Sequence, residues 1–233
     1  MLALLAVRDE MPYLPGFLAN VRPQVDGIVA LDDGSQDGSG DYLRSQDGVL
    51  EVLDSPSDRT SWDEPGNHRA LVAAGIRHGA DWLLALDADE RLEEEFRPRA
   101  ERVIRRGRVF AFGAYAVRLR ELWDSPDEFR VDGIWGRKAP ARLFRARTDH
   151  VFDSRPLHGL KAPLQDRRRG DYPLADLEVY HLRMIGREER LERRRRYEHL
   201  DPEGRWQREG YAYLTDETGL RLRRVHVRRR YVH

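Results

Sequence analysis

The stretch DWLLALDADER, residues 81–91, decides the fold. A short apolar run bounded by polar residues is the mark of a buried strand, and this one ends in Asp87 and Asp89, with only Ala88 between them. Outward from it, LALLAV at 2–7, the run Ile28 to Leu31 and VLEVLD at 49–54 read as three more strands. Helical segments separate them. In RDEMPYLPGFLANVRPQ, Tyr13, Phe17, Leu18 and Val21 share one helical face, and a short helix is expected near Asp41 to Arg44. NHRALVAAGIRHG predicts a helix with Asn67 as N-cap and Gly79 as its stop. Strand and helix alternating at this spacing predict an α/β protein: a Rossmann-like, mixed, mostly parallel central sheet flanked by helices. In such folds functional residues gather beyond the carboxyl ends of strands, where Asp9, Asp32, Asp33, Asp87 and Asp89 all fall.

Past a helix expected near 92–106 the character changes. VFAFGAYAVRLRELW, PARLFRA and LADLEVYHL (174–182) read as longer strands, with the aromatic, glycine-containing segment FRVDGIWGRKAP between the first two. REERLERRRRYEHL is a strongly basic helix, and LRLRRVHVRRRYVH alternates like an exposed strand.

A chain of 233 residues with 40% apolar content can bury a substantial core. No apolar run approaches the roughly 18 residues of a membrane span, and MLALLAVRDE has an acidic pair where a signal peptide would continue apolar, so a cytoplasmic protein is expected. The absence of cysteine excludes disulfides and thiolate ligands. Charge sums to zero but is uneven: residues 1–66 carry four arginines against thirteen acids, and residues 183–233 carry fifteen against nine. Of 41 basic residues only Lys138 and Lys161 are lysine, so arginine is the default surface cation and its clusters say little by themselves.

Two carboxylates spaced as Asp-x-Asp after a buried strand can share one hard divalent cation and leave positions open for a diphosphate. An all-oxygen site suits Mg²⁺, and an added imidazole tilts the choice toward Mn²⁺. The competing explanation is an N-cap for the helix expected near Leu92.

The ordered set LLAVRDE, ALDDGSQDGS, NHRALVAAG and DWLLALDADERL resembles the donor-binding half of family 2 glycosyltransferases with the A-type, nucleotide-diphospho-sugar transferase fold, over about residues 2–95. More loosely, PARLFRA, RPLHG and VYHL resemble relatives of the lipopolysaccharide-core glucosyltransferases. The resemblance implies one catalytic domain over 1–182, with a donor half (1–95) and an acceptor half (96–182), followed by a basic extension at 183–233. It implies a metal-dependent, inverting transfer of a hexose-like sugar from a nucleotide-diphosphate sugar to the hydroxyl of a glycan, lipid-linked or small-molecule acceptor. Asp32 matches the aspartate that binds the nucleotide base, and Val7 and Arg8 match the first strand's contact with it. Asp87 matches the residue near ribose and metal, Asp89 the principal metal ligand, and His181 a late histidine that completes the coordination of Mn²⁺ or Mg²⁺. Asp33, Ser35 and Arg69 are donor-pocket candidates.

An inverting transfer needs a base for the acceptor proton. In the related pattern a carboxylate follows the histidine, but RPLHGLKAP has Gly159 there. Either His158 is the base, or Asp132 or Asp153 replaces it, or the chain is a noncatalytic holder of nucleotide sugar. A nucleotidyltransferase is disfavoured, because no glycine-rich basic loop follows the first strand. The basic helix reads first as a solvated face braced by Glu–Arg pairs, with an anionic acceptor, peripheral membrane contact or a lid over the diphosphate as functional alternatives. Nucleic acid is not expected, since residues 221–233 interleave only Tyr231 among their arginines.

Overall fold

A computed structural model describes residues 1–55, 63–155, 159–207 and 209–233. The four strands of the first half are β1 (Leu2–Val7), β2 (Gly27–Asp32), β3 (Val49–Asp54) and β4 (Trp82–Leu86). They are followed by β5 (Glu90–Leu92), β6 (Ala114–Glu121), β7 (Glu128–Arg130), β8 (Ala141–Arg145), β9 (Leu174–His181) and β10 (Leu222–Arg224). Eight strands form one sheet in the order β3-β2-β1-β4-β8-β6-β9-β5, and β10 pairs with β7 in a separate ribbon. Strands β1 to β4 are mutually parallel, β8 runs against its neighbours β4 and β6, β9 is parallel to β6, and β5 is antiparallel to β9. The sheet is therefore mixed and mostly parallel, as expected.

Helices α1 (Leu14–Val21), α2 (Ser39–Arg44), α3 (Glu64–Arg77), α4 (Phe96–Gly107) and α5 (Arg187–Leu200) complete the regular structure. Successive side chains of a strand point to opposite faces, and both faces of this sheet are covered. Ala3, Leu5 and Val7 of β1 join Leu14 and Phe17 of α1 and Phe96 of α4 in one core. Leu2 and Leu4 turn the other way and join Leu71 and Val72 of α3 with Phe144 of β8.

Three expected elements differ. Helix α3 starts before Asn67: Asp63 is the cap, its carboxylate accepting from Gly66 N at 2.8 Å, with a proline in the first turn. Asn67 is instead buried inside the helix, and Gly79 follows its end at φ 74°. The Asp-x-Asp pair caps no helix, because β5 intervenes and α4 begins only at Phe96. Of the alternating carboxyl-terminal stretch only Leu222–Arg224 is strand; Val227–Arg229 is a 3-10 turn and the chain beyond it docks on the body. There Arg229 pairs with the fully buried Glu93, Glu94 N donates to Arg230 O at 2.8 Å, and Tyr231 stacks on Tyr180 at 4.8 Å. No helix among the described residues is long and apolar enough to cross a membrane.

Candidate functional site

The carboxyl ends of β1, β2 and β4 deliver their residues to one rim of the sheet. Val7 pairs with Asp32 across β1 and β2, and both are buried. Asp32 Oδ1 accepts from Ser35 N at 2.9 Å, which fixes the carboxylate at the strand end. Its other oxygen lies so close to Gly40 that a Cβ there would sit 2.1 Å from it, so α2 approaches Asp32 as only glycine allows. Arg8 donates from Nε to Asp33 O at 2.8 Å and its guanidinium pairs with the Asp33 carboxylate. Asn67 Nδ2 donates to Asp33 Oδ1 at 3.1 Å, which explains a buried asparagine inside α3. Arg69 is exposed on α3.

Asp87 and Asp89 part company. Asp87 is held by Arg142, at 3.0 Å, and by Lys161 Nζ. Burial raises its pKa, but Lys161 and Arg142 outweigh burial and keep it ionised well below the usual carboxylate range. Arg142 also pairs with Glu90, whose buried carboxyl is pushed up to about 7 by desolvation.

Asp89 is 4% exposed and faces a different set. Its Oδ2 takes Arg183 Nε and lies 3.2 Å from His181 Nε2, while its Oδ1 is buried with no hydrogen-bond partner among the described residues. Register explains the meeting: β9 pairs with both β5 and β6, so His181 stands opposite Glu90 on one side and Glu121 on the other. His181 Nδ1 bonds Glu121, 2% exposed, which also accepts from Lys138 Nζ at 2.7 Å. Burial lowers the His181 pKa, yet Glu121 and Asp89 more than reverse it, to about 9. Arg193 reaches in from α5, with Nη1 3.1 Å from His181 Nε2. That nitrogen cannot donate to Asp89 and accept from Arg193 at once; the protonated ring favours Asp89. Arg193 Nε is buried without a hydrogen-bond partner among the described residues. Arg183 also pairs with Glu10, whose carboxyl burial pushes up to about 7.

Of the expected residues, Asp89 and His181 are thus brought together, while Asp87 is turned to Arg142 and Lys161. Asp132 is engaged elsewhere: Arg130 clamps its carboxylate at 2.9–3.1 Å, it accepts from Arg221 N at 3.0 Å, and these bonds, Arg130 first, lower its pKa. His158 lies outside the described residues. Sequence reasoning missed Glu10, Glu121, Arg142, Lys161, Arg183 and Arg193. One signal was available: both lysines of an arginine-rich chain, Lys138 and Lys161, sit on carboxylates of this site. Reading the basic helix as a solvated face holds for Arg194 with Glu198, but Arg190 is buried and Arg193 enters the site.

A divalent cation finds a partial fit. The orphaned Asp89 Oδ1 is a suitable donor, the adjacent His181 becomes one when its Nε2 gives up its proton, and Glu121 behind His181 is the carboxylate that orients a ligating ring. Among the described residues no three His, Asp or Glu side chains form a ready-made cage, because Asp87 is committed to Arg142 and Lys161. Four protein cations, Arg142, Lys161, Arg183 and Arg193, therefore line the same rim.

No family model matches the chain. It is similar to a TPR repeat-containing protein of Synechococcus elongatus, 32% identical over 154 residues, which cover 66% of this chain and 33% of that protein. The aligned stretch thus spans about a third of the length of the curated relative it matches. Among solved structures it resembles S. aureus TarS. Against TarS 1–349 the TM-score is 0.53 at 14% identity, covering 82% of this chain and 64% of that one. Against TarS 1–349 in complex with UDP-GlcNAc it is 0.53 at 12% identity, covering 93% and 70%. The chain shares its fold with TarS: a mixed, mostly parallel central sheet with helices on both faces.

Proposed function

We propose that this chain is a metal-dependent family 2 glycosyltransferase of the A-type fold, moving a hexose-like sugar from a nucleotide-diphosphate donor to an acceptor hydroxyl with inversion. The observation that carries the proposal is the convergence of Asp32, Asp33, Asp87 and Asp89 on one rim that also gathers Arg142, Lys161, Arg183 and Arg193. The fold likeness to a protein solved with UDP-GlcNAc supports it.

Asp32 is fixed to accept from the imide N–H of a pyrimidine, with Val7 and Arg8 beside it and the exposed Arg69 as a further donor-pocket residue. Asp87 lies next to the ribose and, with Asp89 and His181, belongs to the metal-facing group. Mn²⁺ or Mg²⁺ on Asp89 and His181 would neutralise the leaving diphosphate. Arg142, Lys161 and Arg183 contribute to the same task by turning from carboxylate to phosphate oxygens, and Arg193 adds its unbonded Nε. As the anomeric C–O bond breaks, its electron pair goes to the diphosphate and the acceptor oxygen forms the new bond from the opposite face. The acceptor proton goes to His158 or Asp132. Asp132 is available only if Arg130 lets go, so His158→Ala and Asp132→Ala, compared in turnover at equal donor binding, separate the two.

The first test is calorimetric titration of UDP, GDP, dTDP and CDP with Mn²⁺ or with EDTA, repeated on Asp89→Ala. Metal-dependent binding of one nucleotide, abolished in Asp89→Ala, is the expected result. Absence of binding by folded protein overturns the donor site. Binding without turnover on any acceptor identifies a noncatalytic holder of nucleotide sugar, the reading that Gly159 and the Arg130 clamp on Asp132 favour.

A further inference from the structure

We infer that the corner between α4 and β6 docks the protein on an anionic lipid bilayer. The segment RRGRVFAF, residues 105–112, leaves α4 at Gly107, makes a 3-10 turn over Arg108–Phe110 and reverses at Ala111. Ala111 has φ 51°, a conformation costly for a residue with a Cβ, and the turn is closed by Ala111 N to Arg108 O and Phe112 N to Gly107 O, both 3.2 Å. A Cβ on Gly107 would collide with the Tyr115 hydroxyl, so the corner is packed tight beneath. Above it Val109 is 83% and Phe110 64% exposed, side by side. The Phe110 ring stacks on Phe112 at 5.4 Å, and Phe112 meets Tyr115 edge-on, so the aromatic tip is braced from behind.

Cations ring this tip. Arg105, Arg106 and Arg108 come from the corner itself and Arg145 from the end of β8, none with an ion-pair partner among the described residues. Arg168 donates to Ala111 O at 3.1 Å and lies over Phe112. Arg105, Arg108 and Arg145 also border a groove of 720 Å³, floored by Trp82, Ile104 and Phe112. Two adjacent protruding apolar side chains within a collar of uncompensated guanidiniums combine the two signals that stable interfacial binding requires, apolar insertion and attraction to anionic headgroups. A polyanion in water would use the collar and leave Val109 without a role. The carboxyl-terminal turn, the other basic surface with an exposed valine, commits Arg229 and Arg230 to Glu93, Asp176 and Glu94.

Met1, Asp26, Asp81 and Gly113, which precede β1, β2, β4 and β6, border the same groove. The docking corner is thus at the rim opposite Asp87 and Asp89, and a docked molecule keeps that site open to water. The inference stands independently of the proposed reaction.

The test is flotation of the chain with vesicles of phosphatidylglycerol and phosphatidylcholine, or of phosphatidylcholine alone, at low and high salt. Expected is salt-sensitive binding to the anionic vesicles only, weakened about fivefold for each of Arg105→Ala and Arg108→Ala. Val109→Ser with Phe110→Ser, which removes the apolar groups without changing charge, abolishes it, both positions being exposed and outside the core. As a conservative check, Phe110→Trp gains fluorescence quenching by brominated lipid beyond that of the parent chain. No flotation with anionic vesicles overturns the inference. So does undiminished binding by the serine pair, which would make the corner a polyanion surface only.

Discussion

Arg190 and Arg193 sit three positions apart on α5 and do opposite work. Arg190 is buried over the Trp123 ring at 4.1 Å and donates to Met184 O, Ile185 O, Asp124 and Glu217, so it anchors the helix. Arg193 brings its Nη1 within 3.1 Å of His181 Nε2, a nitrogen the protonated ring commits to Asp89, and keeps a buried, unbonded Nε in the site. Arg190→Ala is expected to cost about 2–3 kcal/mol in chemical denaturation, because it strands the buried Met184 carbonyl and removes the packing on Trp123. Arg193→Ala should leave stability nearly unchanged and weaken nucleoside-diphosphate binding about tenfold or more in calorimetry. His68 supplies a pH signature. Its Nε2 lies 2.7 Å from Lys161 O, and burial, with Lys161 adding to it, lowers its pKa from 6.5 to about 4. Between those values the unfolded chain binds more protons than the folded one. The His68 contribution to stability is therefore full above 6.5 and falls as pH drops toward 4, by about 2 kcal/mol between pH 7 and pH 5. Denaturation curves of His68→Gln at the two pH values should lack that component.

At the scale of elements, α2 is set by its approach to β2. Gly40→Ala puts a methyl group on Asp32 Oδ2 and is expected to reduce nucleotide affinity about tenfold by displacing a charge-assisted contact. Gly38→Ala, two residues earlier, meets open space but holds φ 90°, so it should cost about 1 kcal/mol of stability and leave affinity alone. Paired titration and melting of the two variants checks both. The first four strands were legible because an apolar run between turn residues has few other uses. The start of α3 was not, since Asn67 is a good cap by composition while its side chain serves Asp33. Three-residue β5 has no period to read, and its existence follows from pairing with β9. Asp87, Asp89 and His181 were nominated from motif and resemblance, and the structure sets Asp89 3.2 Å from His181. The cations were not, because an arginine that enters a site and one that faces solvent look alike in a chain with 41 basic residues.

At the scale of the molecule, the last residues are part of the body. Tyr231 packs on Tyr180 and donates to Pro126 O at 2.8 Å, Tyr180 donates to Arg229 O at 2.6 Å, and Asn20 of α1 donates to Val232 O at 3.3 Å. Tyr231→Ala should cost about 3 kcal/mol by urea denaturation, within one transition if tail and sheet unfold together. Strand order has a temporal side as well. Strand β9 lies between β6 and β5, and Asp89 precedes His181 by 92 residues. At a synthesis rate of about 5–20 residues per second, Asp89 leaves the ribosome about 5–20 s before its imidazole partner exists. Through that interval β5 has no neighbour in the sheet and Asp89 lacks His181, Arg183 and Arg193. The rim that begins with the earliest strands is thus the last part of the sheet to close on a nascent chain.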